Sequence, residues 1–423
     1  MPSKSSPRPA VVVALLAFVS LVGYALRTNV QVAQQYMAPE LGLTDADMGI
    51  ISGVGFQLAY AVFQIPTGFL GDRFGSRIVL GLAIVGWAIS SFAAGLIPAT
   101  AGATMAFASL FLVRLVLGFT QAATYPVGSM AIAQTVPPAR RATANAIFIG
   151  AALIGSGLVP LTLAPLMVQL GWRSVFLVSG VVGLVAAAAW FLFAPPKPVA
   201  DPAHRTPPLR QQLRDSWELL KDRNLLILSL AYAMEAAVFF VFVFWFFSYL
   251  VQGRGMSVLA SGVWGSIPYF VAALIGPMGG FAADALGARL GLARGRRIVA
   301  MTGLFGAALL VVIGANTLNP FLAVAALSIS VGCINSTEGP FWATATALGR
   351  GNPGAAGGVL NFMGNMGGVV SIVTVPLMKD AWGWTAMLGF WAGVAVVSGL
   401  LWMLVRPNEA QSAGAATLGT ARS

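Results

Sequence analysis

The chain has 423 residues, of which 58% are hydrophobic and only 9% charged, and its net charge is +11. A water-soluble domain carries roughly a quarter charged residues, so most of this surface has to face lipid, and the scattered Lys and Arg, set in short gaps between apolar runs, do not form the polar face of a nucleic-acid reader. One cysteine, Cys333, and one histidine, His204, exclude a disulfide within the chain, Cys-based metal sites and Ser-His or Cys-His nucleophilic catalysis, so no enzyme activity, metal or cofactor is expected.

About 20 apolar residues are needed to cross a bilayer as a helix, and helices are required because lipid offers the backbone no hydrogen-bond partner. Twelve runs are long enough, near 10–36, 46–71, 77–97, 102–135, 140–169, 173–194, 224–251, 257–287, 296–316, 319–347, 354–379 and 383–405. The first begins polar at Lys4 and Arg8 and lacks a small-residue cleavage site before Arg27, so it reads as a retained helix and not a signal peptide. A polar, proline-rich stretch splits the runs six and six. The expected organisation is a bundle over 1–194, a linker over 195–223 whose part from Leu209 to Arg223 suits an interfacial helix, a second bundle over 224–405 and a tail over 406–423. Pro66, Pro126, Pro160, Pro268, Pro340 and Pro376 fall inside runs, where they predict bends.

With both termini placed in the cytoplasm, only Arg173, Arg254 and Lys379 of the 24 Lys and Arg residues fall in outer segments and only Arg27 and Arg114 inside runs. This asymmetry follows the positive-inside rule and predicts a multi-pass protein of the cell inner membrane with both termini inside. The halves also echo each other. Gly68-Phe-Leu-Gly-Asp72-Arg73-Phe-Gly75-Ser-Arg77 stands between runs two and three, and Gly279-Gly-Phe-Ala-Ala-Asp284-Ala-Leu-Gly287, followed by Arg296 and Arg297, between runs eight and nine. Each combines close helix approach at glycine with a charge cluster, and two copies at equivalent places imply an internal repeat.

The first copy resembles the signature loop of the major facilitator superfamily, Gly-x-x-x-Asp-Arg-x-Gly-x-Arg, met by Gly68, Asp72, Arg73, Gly75 and Arg77. Further stretches resemble its anion:cation symporter branch, which includes sugar-acid (galactonate, hexuronate) and sialin-like transporters. They are Arg27-Thr-Asn-Val-Gln-Val-Ala, Tyr60 to Gly68, Arg114-Leu-Val-Leu-Gly-Phe, Gly171-Trp-Arg173-Ser-Val-Phe, Gly339-Pro-Phe-Trp342 and Asn361-Phe-Met-Gly-Asn365-Met-Gly-Gly368. The resemblance implies an all-α membrane protein of twelve transmembrane helices in two pseudo-symmetric six-helix bundles, alternating in access around a midplane cavity. It also implies a carboxylate held by Arg27 and Arg114, with Tyr60 and Asn365 bonding the substrate. Proton-coupled members of that branch commonly carry Asp before the first arginine and Glu seven residues after the second; here these positions are Leu26 and Gln121.

Four charged side chains lie well inside the runs: Arg27, Arg114, Glu235 and Glu338. Such residues are costly in a bilayer, from about 2.5 to over 10 kcal/mol, and are kept when they face a cavity or pair with one another. They fall on the first and fourth helices of each half, arginines in the first half and glutamates in the second. A guanidinium pair needs an anion, and its planar forks match a carboxylate best and an inorganic oxyanion second. For the glutamates three roles stand open: holding coupling protons, pairing with the arginines, or contacting substrate hydroxyls or a cation. Tyr24, Arg27 and Gln31 share a helical face, as do Gln57, Tyr60 and Gln64, and Arg114, Gln121 and Tyr125. Tyr24, Gln57 and Gln121 therefore join the substrate-binding candidates, with interhelical glue as the equal alternative for each amide. The expected function is secondary transport of a small organic anion by a monomer, with protons or another ion as coupling partner; the rival readings are an exporter of drugs or metabolites and a non-transporting membrane sensor.

Overall fold

The computed structural model describes residues 9–137, 141–195, 209–219, 221–349 and 353–406. Those residues form helices and turns without a strand. The first half holds α1 (Pro9–Leu41), α2 (45–74), α3 (Ser76–Gly95), α4 (103–135), α5 (141–170) and α6 (172–193). The second holds α7 (223–253), α8 (Val258–Leu290), α9 (Leu292–Asn316), α10 (320–348), α11 (353–382) and α12 (384–404). Ten helical stretches are long and apolar enough to cross a membrane. Two of these turn at a glycine of positive φ, Gly171 (75°) and Gly383 (77°), a conformation that side chains resist and glycine adopts freely. Each turn separates two helices, which makes the twelve that the hydropathy pattern predicts. The amphipathic helix Leu209–Leu219 lies in the linker, with Trp217 exposed and Arg214 paired to Glu218 at 3.1 Å. Most of the rest of the linker and the tail from 407 lie outside the described residues.

The internal repeat is visible in the backbone. Gly75 (φ 85°) opens α3 and Gly291 (φ 91°) opens α9. From the starts of these helices Arg77 donates to the carbonyl of Phe191 at the end of α6, and Arg297 to that of Val405 just beyond α12, at 2.5 Å. The sixth helix of each half opens on a Gly-Trp pair, Gly171-Trp172 and Gly383-Trp384. The fourth helices break at equivalent places as well: α4 is helical over Ala103–Gln121 and Thr124–Thr135, α10 over Pro320–Asn335 and Glu338–Leu348. Both breaks have one cause. Proline has no N–H and its ring crowds the carbonyl four residues back; Pro126 disrupts the turn at Ala122, and Pro340 the turn at Ser336. Pro66, Pro160, Pro268 and Pro376 instead lie inside continuous helices.

Residues 1–206 with Phe246–Ser266 form one compact unit, and 207–245 with Ile267–Ser423 the other. The first unit has two cores, one around Leu16, Trp87, Phe148 and Trp190 and one around Met37, Ile51, Leu110 and Trp172. At one end, Arg173 on α6 pairs with Glu40 of α1 at 2.5 Å and donates to Ile97 O at 3.0 Å, while Trp172 Nε1 donates to Glu40 at 2.7 Å. In the same unit Gln34 and Gln35 both donate to Ser248 Oγ, the latter at 2.8 Å. The second unit packs around Leu228, Leu304, Phe341, Leu360 and Trp402.

Glycine sets the closest helix approaches. A Cβ on Gly118 of α4 would press into the Phe56 carbonyl of α2 and lie 3.1 Å from the Ala59 Cβ; one on Gly367 of α11 would press into the Ala233 carbonyl of α7. Backbone cannot yield as a flexible side chain can, and overpacking costs about 1–3 kcal/mol. Gly118→Ala is therefore expected to lower the thermal unfolding midpoint of detergent-solubilised protein by several degrees, whereas Gly389→Ala, where a Cβ meets open space, is expected to leave it unchanged.

Candidate functional site

In the first unit the site grows from three helices. α2 is wound as a π-helix over Ile51–Leu58, a winding that widens the turn and is common at functional sites. It presents Phe56, Gln57 and Tyr60 to Arg27 of α1. The Arg27 guanidinium carbon stands 4.8 Å from the centres of the Phe56 and Tyr60 rings, which stack on each other, and 5.1 Å from that of Tyr24. Its Nη2 donates to Gln57 Oε1 at 2.5 Å and its Nη1 to the Tyr24 hydroxyl at 3.4 Å. Arg27 is 2% exposed. Away from water, a cation over an aromatic face gains about 2 kcal/mol, so the rings replace part of the lost hydration.

Arg114 reaches the same place from α4. It is 3% exposed; Nη1 donates to the carbonyl of Arg27 at 3.1 Å and Nη2 to Asn29 Oδ1 at 3.4 Å. Gly55 faces α4 beside Arg114, where a Cβ would sit tightly, 3.3 Å from the Phe111 ring and carbonyl. The two guanidiniums are close enough to repel each other electrostatically. Both acceptors of Arg114 are neutral, and among the described residues no carboxylate bonds it. A narrow cleft beside Arg114, lined by Val30, Ser90, Leu110 and Phe176 among others, is mostly apolar and has room only for a water-sized group, so it is no chamber for an organic solute.

Of the residues singled out in the sequence, Tyr24, Arg27, Gln57, Tyr60 and Arg114 come together here. Gln121, the last residue before the α4 break, donates to Gly23 O of α1 at 2.7 Å and straps the two helices. Asn29, fully buried with its Nδ2 unpartnered, belongs to the group but was not picked out by sequence reasoning. Its two-residue spacing from Arg27 puts it off that helical face, and only the approach of Arg114 from another helix reveals it.

The second unit gathers the acids. Glu338 opens the second segment of α10, where it accepts from the Tyr232 hydroxyl at 3.1 and 3.3 Å and from Trp342 Nε1 at 3.0 Å. Glu235 on α7 is 1% exposed, within electrostatic reach of Glu338 and placed against Thr337. Asn365 of α11 donates to Asn361 O one turn back at 2.8 Å. In the loops, a Cβ on Gly68 would meet Pro126 at 3.5 Å, Arg73 stacks on Phe74 at 5.3 Å, and Asp284 lies in the field of Arg296, which donates to Ala343 O at 3.1 Å. The Asp72 side chain lies outside the described residues.

A twice-repeated bundle of membrane-length helices, with charged groups buried on the first and fourth helix of each half, is the architecture of a multi-pass membrane transporter. The family model for the Major Facilitator Superfamily matches residues 13–372, and the chain belongs to that family. The D-galactonate transporter of Escherichia coli O6:H1 is 26% identical over 432 residues, covering 95% of this chain and 96% of its own length. The hexuronate transporter of Bacillus subtilis is 25% identical over 414 residues, with 95% and 96% covered. Among solved structures, a bacterial homolog of the human lysosomal transporter Spinster, inward-facing and occupied, shares the fold with a TM-score of 0.77 at 19% identity, covering 95% of this chain and 97% of that one.

Removing Asn29 Oδ1 takes an acceptor from a buried guanidinium, a loss of about 1.5–3 kcal/mol for a charged hydrogen bond. Asn29→Ala is expected to lower the midpoint of thermal unfolding more than Asn361→Ala, a half-buried site, measured side by side in detergent.

Proposed function

We propose that this chain is a secondary active transporter of a small carboxylate-bearing solute of the sugar-acid class, working by alternating access. The observation that carries the reading is Arg114: a buried guanidinium with only neutral acceptors, set beside a second guanidinium. Two like charges in a low-dielectric setting repel, and one shared anion turns that repulsion into attraction. A carboxylate has the two-pronged acceptor geometry that an arginine fork matches. The relatives named for D-galactonate and hexuronate transport support a polyhydroxy acid. Tyr24, Gln57, Tyr60 and Asn365 are proposed to read its hydroxyl groups; Gln121, strapped to α1, keeps a supporting place in that set. The glycine-aspartate loops at Gly68–Arg77 and around Asp284 are assigned to holding neighbouring helices together during the cycle. The Lys and Arg asymmetry supports a location in the cell inner membrane with both termini cytoplasmic; the chain is proposed to act as a monomer, with bundles over 1–194 and 224–405 joined by the 195–223 linker.

The test is uptake and counterflow in proteoliposomes with labelled D-galactonate, D-glucuronate, D-glucarate and simple mono- and dicarboxylates. Each charge-assisted contact is worth about 1.5–3 kcal/mol, so Arg114→Ala and Arg27→Ala are each expected to weaken apparent affinity by about ten- to a hundredfold with normal folding. Unchanged transport in both variants would sink the anion site. Asn29→Asp sets a resident carboxylate beside Arg114 and is expected to compete with the substrate, raising the half-saturating concentration by about tenfold or more, a loss of at least 1.4 kcal/mol.

A further inference from the structure

The second unit holds a charged group that anion binding does not use. Glu235 lies mid-way along α7, 1% exposed, and its Oε2 is buried with no hydrogen-bond partner. An orphaned polar atom in a dry interior is costly, and a charged one far more so, so a residue kept in that setting is kept for a task.

The groups around it are few. On α7 itself Tyr232 stands one turn away and directs its hydroxyl to Glu338. From α10 come Glu338 and the Thr337 side chain. α11 closes on α7 at Gly364 and Gly367 and carries no ionisable residue before Lys379; α12, held by the Ser398 bond to Ala231 O, carries none over 384–404. α8 contributes Tyr269, whose hydroxyl is bonded to Val243 O two turns further along α7. Among the described residues no Lys or Arg side chain pairs with either glutamate.

The two acids differ in how they are held. Both oxygens of Glu338 receive donors, from Tyr232 and Trp342, which suits an acceptor-only carboxylate. Glu235 has no such donor at Oε2. Two neighbouring carboxylates away from any cation carry one negative charge more readily than two, so the acid whose Oε2 has no donor, Glu235, is the one that takes the proton. The break of α10 between Asn335 and Glu338 lies beside this pair, at the place equivalent to the α4 break in the first unit, where local rewinding can change what the pair touches.

We propose that Glu235 binds and releases the proton that couples transport to a pH gradient, with Glu338 as the fixed carboxylate that positions it. This rests on the transport reading above. In each cycle one proton leaves water on one side, occupies the Glu235 carboxylate as a carboxyl, and returns to water on the other side; no covalent bond to carbon changes.

The experiment uses the full chain in proteoliposomes with labelled D-galactonate and D-glucuronate. For one proton per anion, a gradient of one pH unit supports up to about tenfold accumulation, imposed in either direction because the sign of coupling is part of the readout. Wild type is expected to respond to the gradient, and Glu338→Gln, which removes the neighbouring charge that favours the proton on Glu235, is expected to respond with its pH dependence moved to lower pH. Glu235→Gln is expected to equilibrate the probe without accumulating it, while retaining counterflow. Gradient-driven accumulation by Glu235→Gln, or accumulation by wild type that follows Na+ and ignores pH, would overturn the proposal. As a check needing no variant, a hydrophobic carbodiimide, which reacts with protonated buried carboxyls, should label Glu235 in the wild-type protein, mapped by peptide mass spectrometry, and the label should fall as pH rises. Glu235 left unlabelled at every pH would also overturn it. Labelling without counterflow of any probe would sink the transport reading instead, so the two failures are separable.

Discussion

A charge taken out of water must be met by something, and the first unit meets two of them without a carboxylate bonded to Arg114. Ring faces and the Gln57 amide surround Arg27; a backbone carbonyl and the Asn29 amide receive Arg114. Neutral dipoles hold such a charge in place but do not cancel it. Much of the bundle's local geometry follows from bringing those dipoles close: the π-wound turn of α2, and Gly118, which lets α4 approach α2 nearer than any side chain would allow.

The repeat applies one scaffold to two opposite charges. In each half the third helix is tied to the end of the sixth by an arginine, and the fourth helix is broken four residues before a proline. On this frame the first half carries guanidiniums on its first and fourth helices, and the second half carries carboxylates on the same two. On the transport reading proposed above, a symmetric scaffold with antisymmetric charge would divide the work: one half for a negative solute and the other for a positive one as small as a proton. The division also explains why the amide of Gln121 can serve as a strap. It is the last residue before the break of α4, as Asn335 is before that of α10, and an amide there bonds α1 without adding a charge.

The sequence made the membrane architecture legible because hydropathy, loop charge and the doubled glycine-aspartate loops each report a separate physical constraint, and all three agree. The junctions near Gly171 and Gly383 were legible too, as the short gaps that separate runs 140–169 and 173–194 and runs 354–379 and 383–405. Arg27, Arg114, Glu235 and Glu338 stood out because a charge in an apolar run has few explanations. What one strand of sequence hides is which polar neighbours from other helices meet those charges. Asn29 does not stand out until Arg114 arrives from α4; Gln121 reads equally as ligand contact or glue until its amide is seen on Gly23 O. The π-winding over Ile51–Leu58 leaves no compositional trace, because it changes hydrogen-bond partners along the backbone and not residue type. The prolines were visible but unequal. Only those whose missing N–H coincides with a change of helix segment, Pro126 and Pro340, mark real breaks, and it is their recurrence in both halves that separates them from the other four.

Those two breaks join the chemistry to the mechanics. A continuous helix passes a local change on only by moving as a whole, because each turn is bonded to the next. A helix broken at Ala122–Ala123 or Ser336–Thr337 can move one segment against the other, in α10 right beside Glu338 and in α4 two turns beyond Arg114. Gly279 and Gly303 meet the α10 break directly, the first against the Ser336 backbone and the second against Thr337 and the Cys333 carbonyl, so any rewinding there must be transmitted to α8 and α9. Neutralising Glu235 would remove the repulsion between it and Glu338, which opens the second α10 segment. The charge state of one side chain on α7 is thereby linked to the position of a helix segment, and through two glycine contacts to two more helices. That is the kind of short physical path by which occupancy by an ion and a change of bundle shape can depend on each other.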